Sequence, residues 1–563
     1  MKGAVHLGNI PAVSDRPTDW IEMLGGIPPT VSGDEEGSAY LFGEIYDDNG
    51  PKADPTLGLL AAYRREGDEF LGRLNGQFAL MFLENRPRRF SLICDRTAST
   101  PIFYANPAGR LLFASTLREL IDLIGSPRKI SLPALASFLA CGFFCNGLTL
   151  IEGARLLAPG QMLVAEGSKI QVHTYWEYGF GAERDVRSER LLQEELYELL
   201  LQAIARRTKE NDRFGIMLSG GYDSRALLAC VRRLRPAADL HTVTWGEAEG
   251  RPHSDAEIAR TIALKAGAAH SFFKLSASAL PDHFRDYVRL SEGRTDAVGN
   301  YPEGLTILER CRDSSSLAYL LRGDECFGDD PVANEAEALH GLSLHRLDDL
   351  SCCFDYVKIP ILRALREVSA EQIRQILQSC PPGELYDRRD YLGYRQYLFG
   401  YLNPLNQLKQ RAIAVRNPHL DNDIVNFINR LPSSLRLGKA FFRQTVERMM
   451  PEVCRIEFAR RSSMINWNAR LQTDSRLQAY VRRVLLTDRH AFDDLIDHRL
   501  LGEFLQGAFS PSSWNRSWLH RTRKRWERMK GQFALDPASQ VFRLMILKIW
   551  TDEFMSGHFE LAN

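Results

Sequence analysis

Phe214-Gly215-Ile216-Met217-Leu218-Ser219-Gly220-Gly221-Tyr222-Asp223-Ser224-Arg225-Ala226 is the segment whose residue types most plainly imply chemistry. A short apolar run enters a Ser-Gly-Gly turn and a helix-forming stretch leaves it, so the pattern predicts strand, tight turn and helix. Ser219, Gly220 and Gly221 let the backbone turn sharply and come close to a ligand. The amides freed at the start of the following helix make an anion site, reinforced by the helix dipole. Ser219 and Ser224 add hydroxyl donors. Asp223 would repel a bare phosphate, but it suits one that arrives with a divalent cation. No Gly-Lys-Ser/Thr follows, which excludes the lysine-bearing phosphate loop.

A second acidic cluster, Leu321-Arg322-Gly323-Asp324-Glu325-Cys326-Phe327-Gly328-Asp329-Asp330, follows an apolar run that reads as a strand. In open α/β sheets the ligand site lies beyond the carboxyl ends of the strands. Magnesium takes few protein carboxylates and completes its shell with phosphate oxygens and water. Asp223 and Asp324 can supply one carboxylate each. Two further segments carry cations: Val415 to Asn422, preceded by Lys409 and Arg411, and Ala459-Arg460-Arg461-Ser462-Ser463. Either could offset phosphate or developing charge; either alone reads more often as ordinary surface or as a structural ion pair.

The elements that must hold these residues fall into two regions. Up to about residue 180 the chain is β-rich, with runs at Ser38 to Ile45, Gln77 to Leu83, Phe90 to Cys94, Ile102 to Tyr104, Leu111 to Ala114 and Met162 to Val164. Turn signals at Asn49-Gly50-Pro51, Asn106-Pro107 and Pro159-Gly160 separate them. A polar stretch from Gly181 to Glu189 reads as a linker. Arg190 to Arg207 has the apolar rhythm of a helix. Beyond it, helices alternate with runs such as Leu240 to Trp245 and Leu317 to Leu321, which predicts a parallel sheet. From about 360 onward the pattern is mostly helical.

The 563 residues suffice for two to four domains. Lys+Arg and Asp+Glu balance at 71 each, which argues against a nucleic-acid binder or a polyacidic substrate. The ten cysteines are scattered without zinc-site spacing and read as reduced thiols of a cytoplasmic protein. No secretory signal is apparent. The longest apolar stretch, Leu132 to Cys145, is too short to span a bilayer. Arg516 to Lys530 packs seven cationic residues with Trp518 and Trp526; it reads as a solvated helix face or a docking surface rather than a nucleic-acid patch. His173, His241, His270 and His419 read as packing or surface residues.

Taken together, these segments resemble glutamine-dependent asparagine synthetases and their relatives over nearly the whole length. Ser-Gly-Gly-x-Asp-Ser matches the pyrophosphate loop of ATP-pyrophosphatase enzymes, which cleave ATP to AMP and pyrophosphate. The first region carries the resemblance through Arg73-Leu74-Asn75-Gly76-Gln77-Phe78-Ala79, Cys94-Asp95-Arg96 with Pro101-Ile102-Phe103-Tyr104, and Leu157-Ala158-Pro159-Gly160-Gln161 with Tyr175-Trp176. The resemblance implies an α/β fold. A glutaminase-like αββα sandwich over 1–180 would precede an ATP-pyrophosphatase-type domain over 190–563, with a parallel sheet and a helical C-terminal part.

One departure redirects the expected chemistry. Glutaminase domains of this family use a cysteine exposed as the N-terminal residue, whose amine serves as base. The chain begins Met1-Lys2-Gly3-Ala4, with no cysteine before Cys94. Asn75, Gly76 and Asp95, which match glutamine-site positions, are then relics or structural, and glutamine hydrolysis is not expected. Relatives without glutaminase use an amine already present in the substrate: β-lactam-forming synthetases, and lasso-peptide macrolactam synthetases, which join an Asp or Glu side chain to the peptide's own N-terminal amine. The Arg-Gly-Asp-Glu-Cys-Phe-Gly stretch and the length are closer to the lasso group.

The resemblance therefore implies ATP-dependent amide formation through an acyl-adenylate, with ATP and Mg²⁺. Ser219, Gly220, Gly221, Asp223 and Ser224 would hold the pyrophosphate, with Gly323 beside it. Asp223 and Asp324 would hold magnesium. Leu218, Val243 and Thr244 would line the adenosine pocket. Family members usually place a lysine near the Arg460-Arg461 segment; here Arg461 could supply charge but could not trade a proton. Implied partners are a precursor (core) peptide and a leader-binding or protease protein, with neither nucleic acid nor membrane. An ammonia-fed asparagine synthetase, a β-lactam-type ligase and a non-catalytic binding scaffold are the competing readings.

Overall fold

The structure, a computed structural model, describes residues 1–6, 21–23, 30–47, 50–51, 56, 58–126, 128–181, 184–236, 240–348, 350, 356–488, 491–510, 535–555 and 560–561. The basic stretch 516–530 and the Cys352-Cys353 pair lie outside these residues.

Strand Asn75–Glu84 explains the first domain's layering, because Phe78 to Leu83 within it is an unbroken apolar run. Successive strand side chains point to opposite faces. Ala79, Met81 and Leu83 face one way, onto Leu92, Leu111, Phe113 and Leu163 of a core between two antiparallel sheets. Phe78, Leu80 and Phe82 face the other way, onto helices Leu59–Glu66 and Asp68–Arg73. A strand covered on both faces reads as a continuous hydrophobic run rather than an alternating one. The sheet containing it has seven strands; the facing sheet has five and is covered by helices Leu117–Ile124 and Leu132–Cys141. This is a four-layer αββα sandwich. The sequence runs marked most of the larger sheet, but not Thr30–Asp34, Gly50–Pro51 or Lys169–Thr174, and in the smaller sheet they missed Lys2–His6, Ile21–Met23 and Ala154–Leu156.

The second domain follows helix Glu189–Arg207. Its sheet has five parallel strands in the order Ala269–Lys274, His241–Gly246, Phe214–Met217, Tyr319–Leu321, Ala414–Arg416. The chain builds outward from Phe214–Met217 on one side, then returns to add Tyr319–Leu321 on the other. Those two neighbours therefore form the point where strand order reverses, and ligand crevices open beyond the carboxyl ends of strands at such a point. The remainder from about 360 is mostly helical, as expected, and strand Ala414–Arg416 interrupts it; three residues between helices are too few to show a period.

One wall of the crevice comes from Gly393–Leu402, which is wound as a π-helix between Leu385–Leu392 and Asn403–Gln410. Such stretches are uncommon and occur frequently at functional sites. No described helix is long and apolar enough to cross a membrane.

Candidate active site

The Ser-Gly-Gly turn sits at the carboxyl end of Phe214–Met217, and helix Tyr222–Leu234 starts from Gly221. Gly220 has φ +80°, and a Cβ there would lie 2.9 Å from Ile258 Cγ2, so both conformation and space call for glycine. The turn is tied from inside: Ser219 N donates to Ser224 Oγ at 3.3 Å, and Ser224 Oγ donates to Gly221 O at 3.1 Å. Arg225, fully buried, clamps it from behind. Its Nε donates to Gly220 O at 2.9 Å, and its other nitrogens reach the carbonyls of Val453, Ile456 and Glu457. Sequence reasoning did not single out Arg225, since nothing distinguishes it from a surface arginine until residues 453–457 fold against it.

Two cavities meet at this turn. One, of about 330 Å³, is lined by Leu218, Ser219, Ser224, Val243, Thr244, Trp245 and Met464. The other, of about 300 Å³, is walled by Tyr178, Tyr394, Tyr397, Leu342, Leu398 and Leu402, with Glu325, Asp329, Asp390, Arg389 and Lys439. Asp223, Gly323 and Asp324 line both. Gly323 brings the two loops together: a Cβ on it would lie 3.3 Å from Asp223 Cβ and 3.1 Å from His419 Nδ1.

Asp324 is 8 % exposed and both its oxygens are held, Oδ1 by Arg322 Nε and Oδ2 by Asn406 Nδ2, each at 2.6 Å. Each carboxylate oxygen keeps a second lone pair for a cation. Burial raises the Asp223 carboxyl above the usual range, against the pull of Lys439. Lys439 Nζ lies 3.5 Å from Asp223 Oδ1 and is paired closely with Glu325. Burial acts to lower the Lys439 ammonium, but the Glu325 and Asp223 carboxylates outweigh it and raise it. Burial pushes Glu325 up to about 7. Among the described residues no group of three or more His, Cys, Asp or Glu is arranged to hold a metal unaided. The pair Asp223 and Asp324 instead fits a cation whose shell is completed by phosphate and water.

Of the residues expected from sequence, Leu218, Ser219, Asp223, Ser224, Val243, Thr244, Gly323 and Asp324 converge here; Gly220 and Gly221 shape the turn. Arg461 does not converge. Its side chain is exposed and lines neither cavity, while its backbone pairs with the stretch around Ser254. The cation beside Asp223 and Glu325 is Lys439, missed because residues 437–440 resemble any helix start. It sits at φ +55°, ahead of helix Ala440–Met449. A bulky residue held there marks a constrained position. Arg416 follows the structural ion-pair reading, and Lys409 is buried away from the turn. Lys409 is 1 % exposed, with Nζ on Leu405 O and Asn406 Oδ1. Arg416 forks onto Glu44 of the first domain. Neither lines a cavity at the turn.

A sandwich of this kind is joined to a parallel-sheet domain that carries a Ser-Gly-Gly turn at its strand-order reversal. A glutamine amidotransferase domain model matches residues 52–176 and an asparagine synthase model matches 195–309. The chain is thus similar to asparagine synthetases in parts of both domains. It is similar to a Gibberella zeae protein named amidase chry2, with 26 % identity over 289 residues covering 46 % of this chain and 42 % of that protein. It is also similar to a putative glutamine-hydrolyzing asparagine synthetase of Methanocaldococcus jannaschii, 23 % identical across 34 % of this chain and 38 % of that one. Asparagine synthetase 3 of Bacillus subtilis, a glutamine-hydrolyzing type, is 21 % identical across 70 % of this chain and 68 % of its own length. The matches thus span less than half the length of the first two relatives.

Proposed function

We propose that this chain is an ATP-dependent carbon–nitrogen ligase. It activates a carboxylate as an acyl-adenylate and joins it to an amine carried by the same substrate, closing a macrolactam between a peptide's N-terminal amine and an Asp or Glu side chain. The observation that carries the reading is the junction of two cavities at Asp223, Gly323 and Asp324. One has an apolar end for a nucleoside and a phosphate-binding turn. The other offers an aromatic and aliphatic wall to an acyl group.

In this reading a substrate carboxylate oxygen attacks the α-phosphorus of ATP, forming the acyl-adenylate and releasing pyrophosphate into the Ser219–Ser224 turn. Magnesium, held through Asp223 and Asp324, would offset charge on the departing pyrophosphate. The amine then attacks the acyl carbon, and AMP leaves with one former carboxylate oxygen. Glu325 faces the acyl cavity and is the group placed to take the amine's proton. Lys439, between Glu325 and Asp223, offsets charge on the acyl phosphate. A tethered amine needs no ammonia supply and gains a large effective concentration.

The alternative, an ammonia-fed asparagine synthetase, would set free aspartate against Arg389 and Lys439 in the same cavity but would leave the wall of Tyr178, Tyr394, Tyr397 and three leucines unfilled. The test is ATP–pyrophosphate exchange with peptides bearing a free N-terminus and an acidic residue several positions on. Exchange, AMP release and a product lighter by one water are expected. Faster conversion of aspartate plus ammonium to asparagine would overturn the peptide reading. Acetylating the N-terminus should stop ring closure while exchange continues.

A further inference from the structure

We infer that the acyl cavity holds the amine end of its substrate as an ammonium. Asp329 pairs with that charge and the Tyr178 hydroxyl donates to the carbonyl beside it, so the site selects chains with a cationic N-terminus. The inference deepens the proposed ligase reading and rests on it, because there the amine that closes the ring must enter the same cavity as the acyl group.

The other charges that line this cavity are already paired. Asp390 is held by Arg389 Nη2 at 2.7 Å and by Arg436. Glu325 is paired with Lys439, which also lies 3.5 Å from Asp223. Asp324 is held by Arg322 and Asn406. Asp329 lines the cavity too, is exposed, and has no cationic side chain paired with it among the described residues. Its place is fixed through the backbone. Gly328 before it turns at φ +105°, where a Cβ would lie 2.1 Å from Arg436 O, and Gly438 N donates to Asp329 O at 2.7 Å. Asp330 N donates to Asp329 Oδ1 at 2.8 Å, which leaves Oδ2 for a ligand. Five carboxylates line the cavity against two cations, Arg389 and Lys439. A concave site with an excess of one sign concentrates the opposite charge.

The aromatic wall shows what kind of cation fits. Tyr178 lies flat on Tyr394, ring centroids 4.3 Å apart, and Tyr394 donates its hydroxyl to Arg96 O at 2.9 Å. Tyr178 is 1 % exposed, yet its hydroxyl has no hydrogen-bond partner among the described residues. A buried donor left unpaired is costly, and it calls for a ligand group that accepts. Burial raises the Tyr397 phenol, and the charges of Asp324, Asp296 and Asp329 add to that, so this ring stands within the field of Asp329. Aromatic faces attract an ammonium as well. The first residue of a peptide carries both complements, an ammonium and a carbonyl oxygen. A bare metal ion would satisfy Asp329 but not the Tyr178 hydroxyl, and a lysine side chain would bring no adjoining carbonyl. Glu325, on the same loop as Asp329, is the group already placed to take the amine's proton before attack.

The test reads half-saturation for peptide in ATP–pyrophosphate exchange, which needs the carboxylate but no free amine. One peptide has a trimethylated N-terminus, charged but unable to close a ring; the other is the same peptide acetylated. The parent chain should need about tenfold less of the charged peptide, and raising the salt from about 0.05 M to about 0.5 M should shrink that preference. The salt arm needs no variant, so it decides even if a variant misfolds. Asp329→Asn should bring the ratio to within about twofold. Asp330→Asn, which removes the same charge from a neighbour that lines neither cavity, should keep the preference. Tyr178→Phe should raise half-saturation for both peptides about fivefold. It should not lower the melting temperature, because the hydroxyl it removes is unpaired in the free chain. A preference that ignores salt or survives Asp329→Asn overturns the ammonium site, and so does an equal loss in Asp330→Asn. Parental half-saturation in Tyr178→Phe overturns the carbonyl contact. Exchange with both peptides but no preference in the parent rejects this inference and leaves the ligase reading standing; no exchange with either rejects both.

Discussion

At the scale of single residues the account turns on four side chains. Asp223→Asn and Asp324→Asn should each lower pyrophosphate exchange by at least about a hundredfold while circular dichroism stays unchanged; near-parental exchange at limiting Mg²⁺ would remove the metal assignment. Lys439→Met should do comparable damage, because it strips the ammonium lying 3.5 Å from Asp223. Arg461→Gln should change the rate by less than about threefold, since its side chain lines neither cavity. Reversed effects for those two would restore the arginine. His419 offers a stability test. Burial pushes it down to about 3, from an ordinary 6.5. As pH falls below 6.5 the unfolded chain takes up a proton that the folded chain refuses, so this group's contribution to stability is lost toward acid. His419→Gln should therefore show a shallower fall in melting temperature than the parent between pH 6.5 and about 4. Parallel slopes would contradict it.

At the scale of elements, the Ser-Gly-Gly turn separates two glycines that look alike in sequence. Gly220→Ala must hold φ +80° with its Cβ 2.9 Å from Ile258, whereas Gly221 sits at φ −75° and an added Cβ meets only Ser219 Oγ, at 3.6 Å. Gly220→Ala should cost about 1–3 kcal/mol and raise the KM for ATP, and Gly221→Ala should cost less than about 1 kcal/mol; denaturant titration and ATP saturation curves decide. The strand–turn–helix unit was legible because glycines, hydroxyls and an acid fall in order on an apolar run. Other elements were not. Ala414–Arg416 is too short to show a period, and the π-wound Gly393–Leu402 reads as ordinary helix. Lys439 depends on a left-handed residue before a helix, which no local pattern announces. The αββα layering came from family likeness, because strands buried on both faces lose the alternation that would reveal them.

At the scale of the whole molecule, side chains of the first domain are spent on its own turns and on docking to the second. Asn75 is bound to Asp421 and Arg207, and Asp95 is saturated by Thr97, Ser99 and Phe78. Cys94, the thiol beside Asp95, is buried, and burial pushes it well above its ordinary range. Glutamine should therefore yield no glutamate above a heat-killed control, with or without ATP; steady turnover would mean that these contacts open. In the proposed reading the amine comes with the substrate, and that is the central claim. Its most direct test is isotope transfer. A peptide with a free N-terminus and an ¹⁸O-labelled acidic side chain is incubated with ATP and Mg²⁺, and AMP and peptide are weighed by mass spectrometry. The account predicts label in AMP and a peptide lighter by one labelled water equivalent. Unlabelled AMP, release of ADP and phosphate, or asparagine made faster from aspartate and ammonium would contradict it.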